Sequence, residues 1–266
     1  MTTQLLIYET VVPLSAARHH GCAIETKRNY EFSGKTNSVP LMAVEFPHAV
    51  SEYAIVFAGN KESIMPAVIL GVREGENLFL SRDAKWDAKY VPAFVRRYPF
   101  VFSTSADGDR LILCIDEAYS GFNREARGQE LFDADHKPTQ YVQNVLTFLQ
   151  EYQAQFNRTV AFCKKVLELD LLEPMQAQVE TTAGEKLSLA GFMAVNREKL
   201  KALSGEKLAE LAKSDALELL YLHLQSMRNF QALPSRLSVI KGGTPEAPSS
   251  GDATADDRLN GSRASA

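Results

Sequence analysis

The chain has 266 residues, 45% apolar and 23% charged, with a formal net charge of -4 and a pI near 5.8. That is an ordinary globular composition, long enough to bury a substantial core as one large domain or two small ones. It lacks the clustered excess of Lys and Arg that a nucleic-acid surface needs, since its longest basic clusters are the pairs Arg96-Arg97 and Lys164-Lys165.

Residues 1–38 read as irregular, with turn formers between short apolar pieces. From residue 39 the pattern is β-like: 39–46, 53–58, 65–72 and 78–80 are short apolar or β-branched runs punctuated by Gly, Pro and charge. The stretch from Gly71 to Asn77 reads as a hairpin connection, which makes 65–72 and 78–81 antiparallel neighbours. Pro92 and Pro99 fence a short helix over 91–98. Asp107-Gly108 between the β-prone runs 100–103 and 110–115 is a strong hairpin signal. Six short strands at this spacing predict one antiparallel or mixed sheet.

Residues 116–138 read as a loop. A long helix follows over about 139–170, where Val142, Val145, Leu149, Tyr152, Phe156, Cys163, Val166 and Leu167 recur at three- and four-residue steps. Glu173-Pro174 is its expected stop. Runs at 175–180 and 187–195, turned by Ala183-Gly184, predict a small hairpin, and 197–213 reads as helix. The last helix is expected over 215–232, with Asp215 and Glu218 at capping-box spacing and Pro234 as its end. From 241 to 266 Gly, Pro, Ser, Ala and Asp dominate, so a disordered tail is expected.

The predicted fold is therefore α+β. An N-terminal antiparallel or mixed sheet with one short helix occupies about 1–135, and a long helix, a small β-hairpin and C-terminal helices occupy about 139–233. Because the last helix is apolar round most of its circumference, residues 1–240 are expected to form a single domain.

No membrane span is predicted. The most apolar long stretches, 53–72 and 215–233, are broken by Lys61, Glu62 and Pro66, or by Glu218, His223 and Arg228. The start of the chain has no basic region before Glu9, unlike a signal peptide, so a cytoplasmic protein is expected, with surface association left open. Cys22, Cys114 and Cys163 are odd in number and form no CxxC, which predicts three small buried apolar residues.

Motif chemistry is sparse. There is no GxSxG elbow, GxGxxG turn or P-loop, so no nucleotide or other cofactor is expected. His20, Glu45, His48 and Asp116, with His19 and Glu117, offer the ligand types of a non-haem iron site or an acid–base pair. Their spacing does not favour a metal: adjacent His19 and His20 cannot easily face one ion, and Glu45 and His48 straddle Pro47. The default for these histidines is surface or loop, and for His223 a core histidine with one partner.

The better interaction candidate is the aromatic-arginine segment: Trp86, Tyr90, Arg96, Arg97 and Tyr98. It combines flat amphipathic area with bidentate donors, the types enriched at binding hot spots. On a short helix Phe94 and Val91 face the core and at least one arginine is free. The structural alternative has Trp86 and Tyr90 clamping the helix to the sheet, with the arginines paired to Asp83, Asp87 or Glu117; a lone Trp weighs toward that reading.

Four groups of segments, in order, carry a family resemblance. The first is Val39-Pro40-Leu41-Met42-Ala43-Val44-Glu45-Phe46-Pro47 with Glu52-Tyr53-Ala54-Ile55-Val56-Phe57. The second is Glu76-Asn77-Leu78-Phe79 with the run from Trp86 to Phe100. The third is Leu113-Cys114-Ile115-Asp116-Glu117 with Leu131-Phe132-Asp133. The fourth is Leu171-Leu172-Glu173-Pro174, the run from Ser214 to Tyr221, and His223-Leu224-Gln225-Ser226. Over about residues 5–233 the chain resembles the SapC-like family of soluble bacterial proteins. The resemblance implies an association with a paracrystalline surface layer and supplies no catalytic residues. It thus implies a non-catalytic accessory or binding protein, with a protein or cell-envelope component as partner. A peptide-transporter permease of the same letters is excluded by the missing spans. At His19-His20-Gly21-Cys22 the chain departs from the family pattern of one His followed by a basic residue. A metal-dependent enzyme and a small-ligand binder are the competing expectations.

Overall fold

A computed structural model describes residues 6–26, 29–60, 63–105, 107–180 and 184–240. The expected tail at 241–266 lies outside the described residues. The first half contains β1 (Val11–Pro13), α1 (Ala16–His19), β2 (Ala23–Ile24), β3 (Ser38–Pro40), α2 (Phe46–Ala49), β4 (Ile55–Gly59), β5 (Ile64–Ile69), α3 (Ala93–Arg96), β6 (Phe100–Thr104), β7 (Leu111–Asp116), β8 (Phe122–Asn123) and β9 (Gln129–Glu130). The second contains α4 (Gln140–Glu168), β10 (Leu172–Glu180), β11 (Lys186–Val195), α5 (Arg197–Lys201), α6 (Gly205–Lys213), α7 (Ala216–Ser226) and α8 (Leu233–Ile240). Tight 3-10 segments lie at Glu31–Ser33, Ala43–Glu45 and Met227–Ala232.

The α+β class is the one the sequence predicts, with antiparallel pairing throughout. The strands are nevertheless divided among the described residues into three sheets, ordered β1-β7-β6, β10-β11-β4-β5-β3 and β8-β2-β9. The C-terminal hairpin is part of the largest sheet, since Phe192 and Met193 of β11 pair with Ala58 and Phe57 of β4.

Several local expectations are corrected, the first two by a side chain that captures a backbone amide. The run 39–46 leaves the strand at Pro40, because Glu45 accepts the Met42 amide at 2.8 Å and closes a 3-10 turn that feeds α2. The run 78–80 forms no strand: Asn77 Oδ1 accepts the Phe79 amide at 2.9 Å and turns the chain, leaving one Leu78 N to Leu70 O bond of 2.7 Å. The long helix ends at Glu168, within two residues of expectation, and Asp170 in the left-handed region (φ 50°) turns the chain before Pro174 is reached. Pro174 then sits in β10 at the sheet edge, where its missing N–H costs no ladder bond.

The predicted helix 197–213 is two helices, split where the Ser204 hydroxyl caps α6. Asp215 has φ 58° and makes no side-chain cap to α7, so the expected capping box is absent. Pro234 lies in the first turn of α8 instead of ending a helix, a position that needs no N–H partner. Residues 116–138 contain the two short strands β8 and β9, both paired with β2. All three cysteines are buried, as expected.

Helix α4 joins two apolar cores. Its N-terminal half packs Val142 and Leu149 with Phe100, Ile115 and Leu131 against β6 and β7. Its C-terminal half packs Phe162, Cys163 and Val166 with Phe46, Phe57 and Val68 on the large sheet. Between them lies a small cluster of Met42, Ala93 and Tyr152. The candidate site opens beside that seam, where a helix changing sheets cannot fill both sides with its own side chains.

Candidate functional site

The site is built on Glu45, which is only 3% exposed. Its Oε1 accepts the Ala93 amide and the Tyr90 hydroxyl, each at 2.7 Å, and its Oε2 accepts the Met42 amide at 2.8 Å. The carboxylate thus ties the 3-10 turn Ala43–Glu45 to the first residue of α3. Burial pushes the Glu45 carboxyl above its ordinary range, against the pull of these donors and of the Arg96 charge. Burial, together with the Glu45 carboxylate, also pushes the Tyr90 phenol up and keeps it a donor.

Tyr90 is fixed through its backbone as well. Glu52 accepts the amides of Lys89 at 3.0 Å and Tyr90 at 3.3 Å, and the Tyr53 hydroxyl donates to the Tyr90 carbonyl. Trp86 Nε1 donates to the Tyr53 hydroxyl at 2.7 Å, so the only Trp positions Tyr90 through Tyr53. The exposed His48 ring stacks on Tyr90, with centroids 5.3 Å apart and planes at 20°.

Arg96 completes one wall. Its Nε donates to Val91 O at 3.0 Å, a terminal nitrogen reaches Tyr90 Oη at 3.4 Å, and its Cζ lies 5.7 Å from the Tyr90 ring centre and 5.4 Å from that of Phe148. Phe148, Glu151, Tyr152 and Gln155 of α4 complete the lining. The pocket, open to solvent on one side, measures about 320 Å³. A larger cleft of about 520 Å³, with Val39, Pro40, Met65, Phe94 and Phe156 in its wall, lies on the other side of Tyr152 and is lined by no charged side chain. It offers shape without orienting chemistry.

The sequence candidates divide. Glu45, His48, Tyr90 and Arg96 meet in this pocket. Arg97, 4% exposed, lies among rings, its Cζ 4.3 Å from the Phe94 centroid and 4.9 Å from that of Tyr152. Tyr98 stacks on Phe32 at 4.0 Å, and burial with the nearby Asp116 carboxylate pushes its phenol up. Asp116 accepts the amides of Glu9 and Thr10 at 2.8 Å and of Ala118 at 3.0 Å, fixing the start of β1 to the end of β7. His20 stacks on His136 at 4.1 Å.

His20 and Asp116 are thus placed away from Glu45 and His48, and among the described residues no three His, Cys, Asp or Glu side chains are grouped to hold a metal ion. The expected arginine pairings are also taken by others: Glu117 by Arg18 at 2.6 Å, with His19 Nε2 at 3.2 Å, and Asp87 by Arg236 at 2.8 Å. Phe148, Glu151 and Gln155 went unnoticed in the sequence. Their signal is a spacing of three and four residues on the α4 face that also carries Tyr152.

Among the described residues no helix is long and apolar enough to cross a membrane. A protein-family model described as SapC matches residues 14–233. No curated protein and no solved structure matches the chain.

Proposed function

The chain belongs to the SapC family, and from that premise we propose that it is a non-catalytic binding protein whose recognition site is the pocket of Glu45, His48, Tyr90 and Arg96. The observation that carries the reading is the preorganisation of Tyr90 and Arg96. Tyr90 is held at its amide, carbonyl and hydroxyl, and Arg96 is laid across two aromatic rings. Groups locked in this way lose little freedom when a ligand arrives.

An acid–base enzyme is the weaker reading. Glu45 has the raised proton affinity of a general acid, but both of its oxygens are occupied by backbone amides and a phenol. Three of its roughly four acceptor sites are so committed, which makes the carboxylate an orienter of Tyr90 and α3 more than a base open to a substrate proton. The surface-layer association carried by the family name extends the proposal: the bound component, protein or small molecule, belongs to envelope or surface-layer biogenesis.

Native mass spectrometry of the intact chain, purified from bacterial cells, tests the pocket. Phe148→Trp fills the cavity and leaves the Glu45 network untouched. A small molecule retained by the wild type and absent from the variant supports the reading. Identical spectra for the two proteins count against it.

A further inference from the structure

The chemical class of the ligand can be argued from the same pocket, and this inference rests on the binding reading above. None of the ion pairs among the described residues includes Arg96. Its guanidinium is nonetheless held in place by Val91 O and by the Tyr90 and Phe148 rings. An oriented guanidinium with unspent donors matches a planar oxyanion, which it can grip with two parallel hydrogen bonds.

The other charges decide between a carboxylate and a phosphate. Buried Glu45 and, from α4, Glu151 line the pocket together with Arg96. Arg96 is the one arginine or lysine in the lining, so it can neutralise a single negative charge, and the second charge of a dianion stays uncompensated beside Glu151. The cavity of about 320 Å³ is at the small end of ligand sites and suits a small molecule. Beside the polar His48, Tyr90 and Gln155, its lining includes Met42, Val44, Ala93, Phe148 and Tyr152, an apolar and aromatic surface that suits a flat body.

The geometry points to a small monocarboxylic acid with a flat apolar body as the ligand. Its carboxylate sits on the Arg96 fork and its body lies against Phe148 and Tyr152. Glu45 positions the site without touching the ligand, and Glu151 selects against a second negative charge.

The test is an NMR titration of the full chain with four probes: benzoate, 3-phenylpropanoate, the neutral benzamide and the dianionic phenyl phosphate. The amides of Ala93, Arg96 and Phe148 report on the pocket. Benzoate or 3-phenylpropanoate should shift them and bind roughly tenfold or more tightly than benzamide, the size of a charge-assisted hydrogen bond. Arg96→Met should erase the preference for benzoate over benzamide, Arg96→Lys should keep part of it, and Glu151→Gln should improve phenyl phosphate selectively.

Equal binding of benzoate and benzamide, or a preference that survives in Arg96→Met, overturns the carboxylate assignment and leaves the pocket as a binding site. Phenyl phosphate binding more tightly than benzoate overturns the single-charge class in the same way. If no probe moves any pocket amide, the ligand class and the pocket reading fail together.

Discussion

The Val195 amide donates to His223 Nε2 at 3.0 Å, from the end of β11 to the middle of α7. One turn further on, Ser226 Oγ accepts the Ile55 amide at 3.0 Å and donates to His223 O at 2.6 Å. The β11–β4 pairing involves Phe192 with Ala58 and Met193 with Phe57, so both amides lie just beyond it and are buried. Without α7 they would be unsatisfied donors, each costing about 1–3 kcal/mol. His223→Ala should therefore lower unfolding stability by about 2–4 kcal/mol, from the lost acceptor plus a cavity beside the Phe57 ring. Chemical denaturation checks this, and an unchanged midpoint would refute the role.

The same histidine sets a pH dependence. Burial lowers its pKa to about 4, and the neutral ring is the form that fits, because Nε2 accepts the Val195 amide and a proton there would set two donors against each other. A depressed histidine means that the unfolded chain binds more protons between about 6.5 and about 4. Stability should be complete above the unfolded value and fall as pH drops through that window, by up to about 3 kcal/mol. Glu45, whose carboxyl is raised by burial, works in the opposite sense from the ordinary carboxylate range upward. The check is therefore a difference: urea unfolding of wild type and His223→Gln at pH 7.5, 6 and 5 (test pH values of about these figures). The gap in slope between the two proteins should vanish above the window.

Glu45→Gln preserves size but turns one end of the carboxylate into a donor. Whichever way the amide lies, it faces an N–H or O–H that needs an acceptor. A loss of about 1–3 kcal/mol is expected, against about 1 kcal/mol for Tyr90→Phe. The double mutant should lose less than the sum, by at least about 0.5 kcal/mol, because the two residues share one bond. Strict additivity in thermal unfolding would argue that the pair does not act together.

The two adjacent arginines should behave as opposites. Arg97→Ala removes a buried side chain packed on Phe94, Tyr152 and Tyr8 and should cost about 2–4 kcal/mol. Arg96→Ala is exposed and should change stability by no more than about 0.5 kcal/mol. Comparable losses for both would contradict the packing described.

What was legible in the sequence follows from range. The 3.6-residue apolar stripe of α4 and the Asp107-Gly108 hairpin are local signals, and both elements stand within a residue or two of expectation. The runs 39–46 and 78–80 misled because β-like composition says nothing of Glu45 and Asn77, whose side chains bend the chain by taking one amide each. The pocket residues were named for two rival reasons, Glu45 and His48 as ligands, Tyr90 and Arg96 as a binding surface. That they meet depends on Tyr90 reaching back to Glu45 and on α4 completing the lining, contacts between residues distant in sequence. Arg96 and Arg97 were separable in principle by helix phase, and the structure frees Arg96 while burying its neighbour.

The order of strands in the large sheet matters before the protein is finished. β4 pairs with β5 on one side and with β11 on the other. During synthesis β5 follows at once, but β11 leaves the ribosome on the order of ten seconds later at ordinary elongation rates. Through that interval the nascent chain carries an open, apolar strand edge at Ile55–Gly59, with no covering α7. Premature termination or a pause between α4 and β10 should therefore yield a chaperone-dependent, aggregation-prone fragment, and release of the first half is a hazard the cell has to manage cotranslationally.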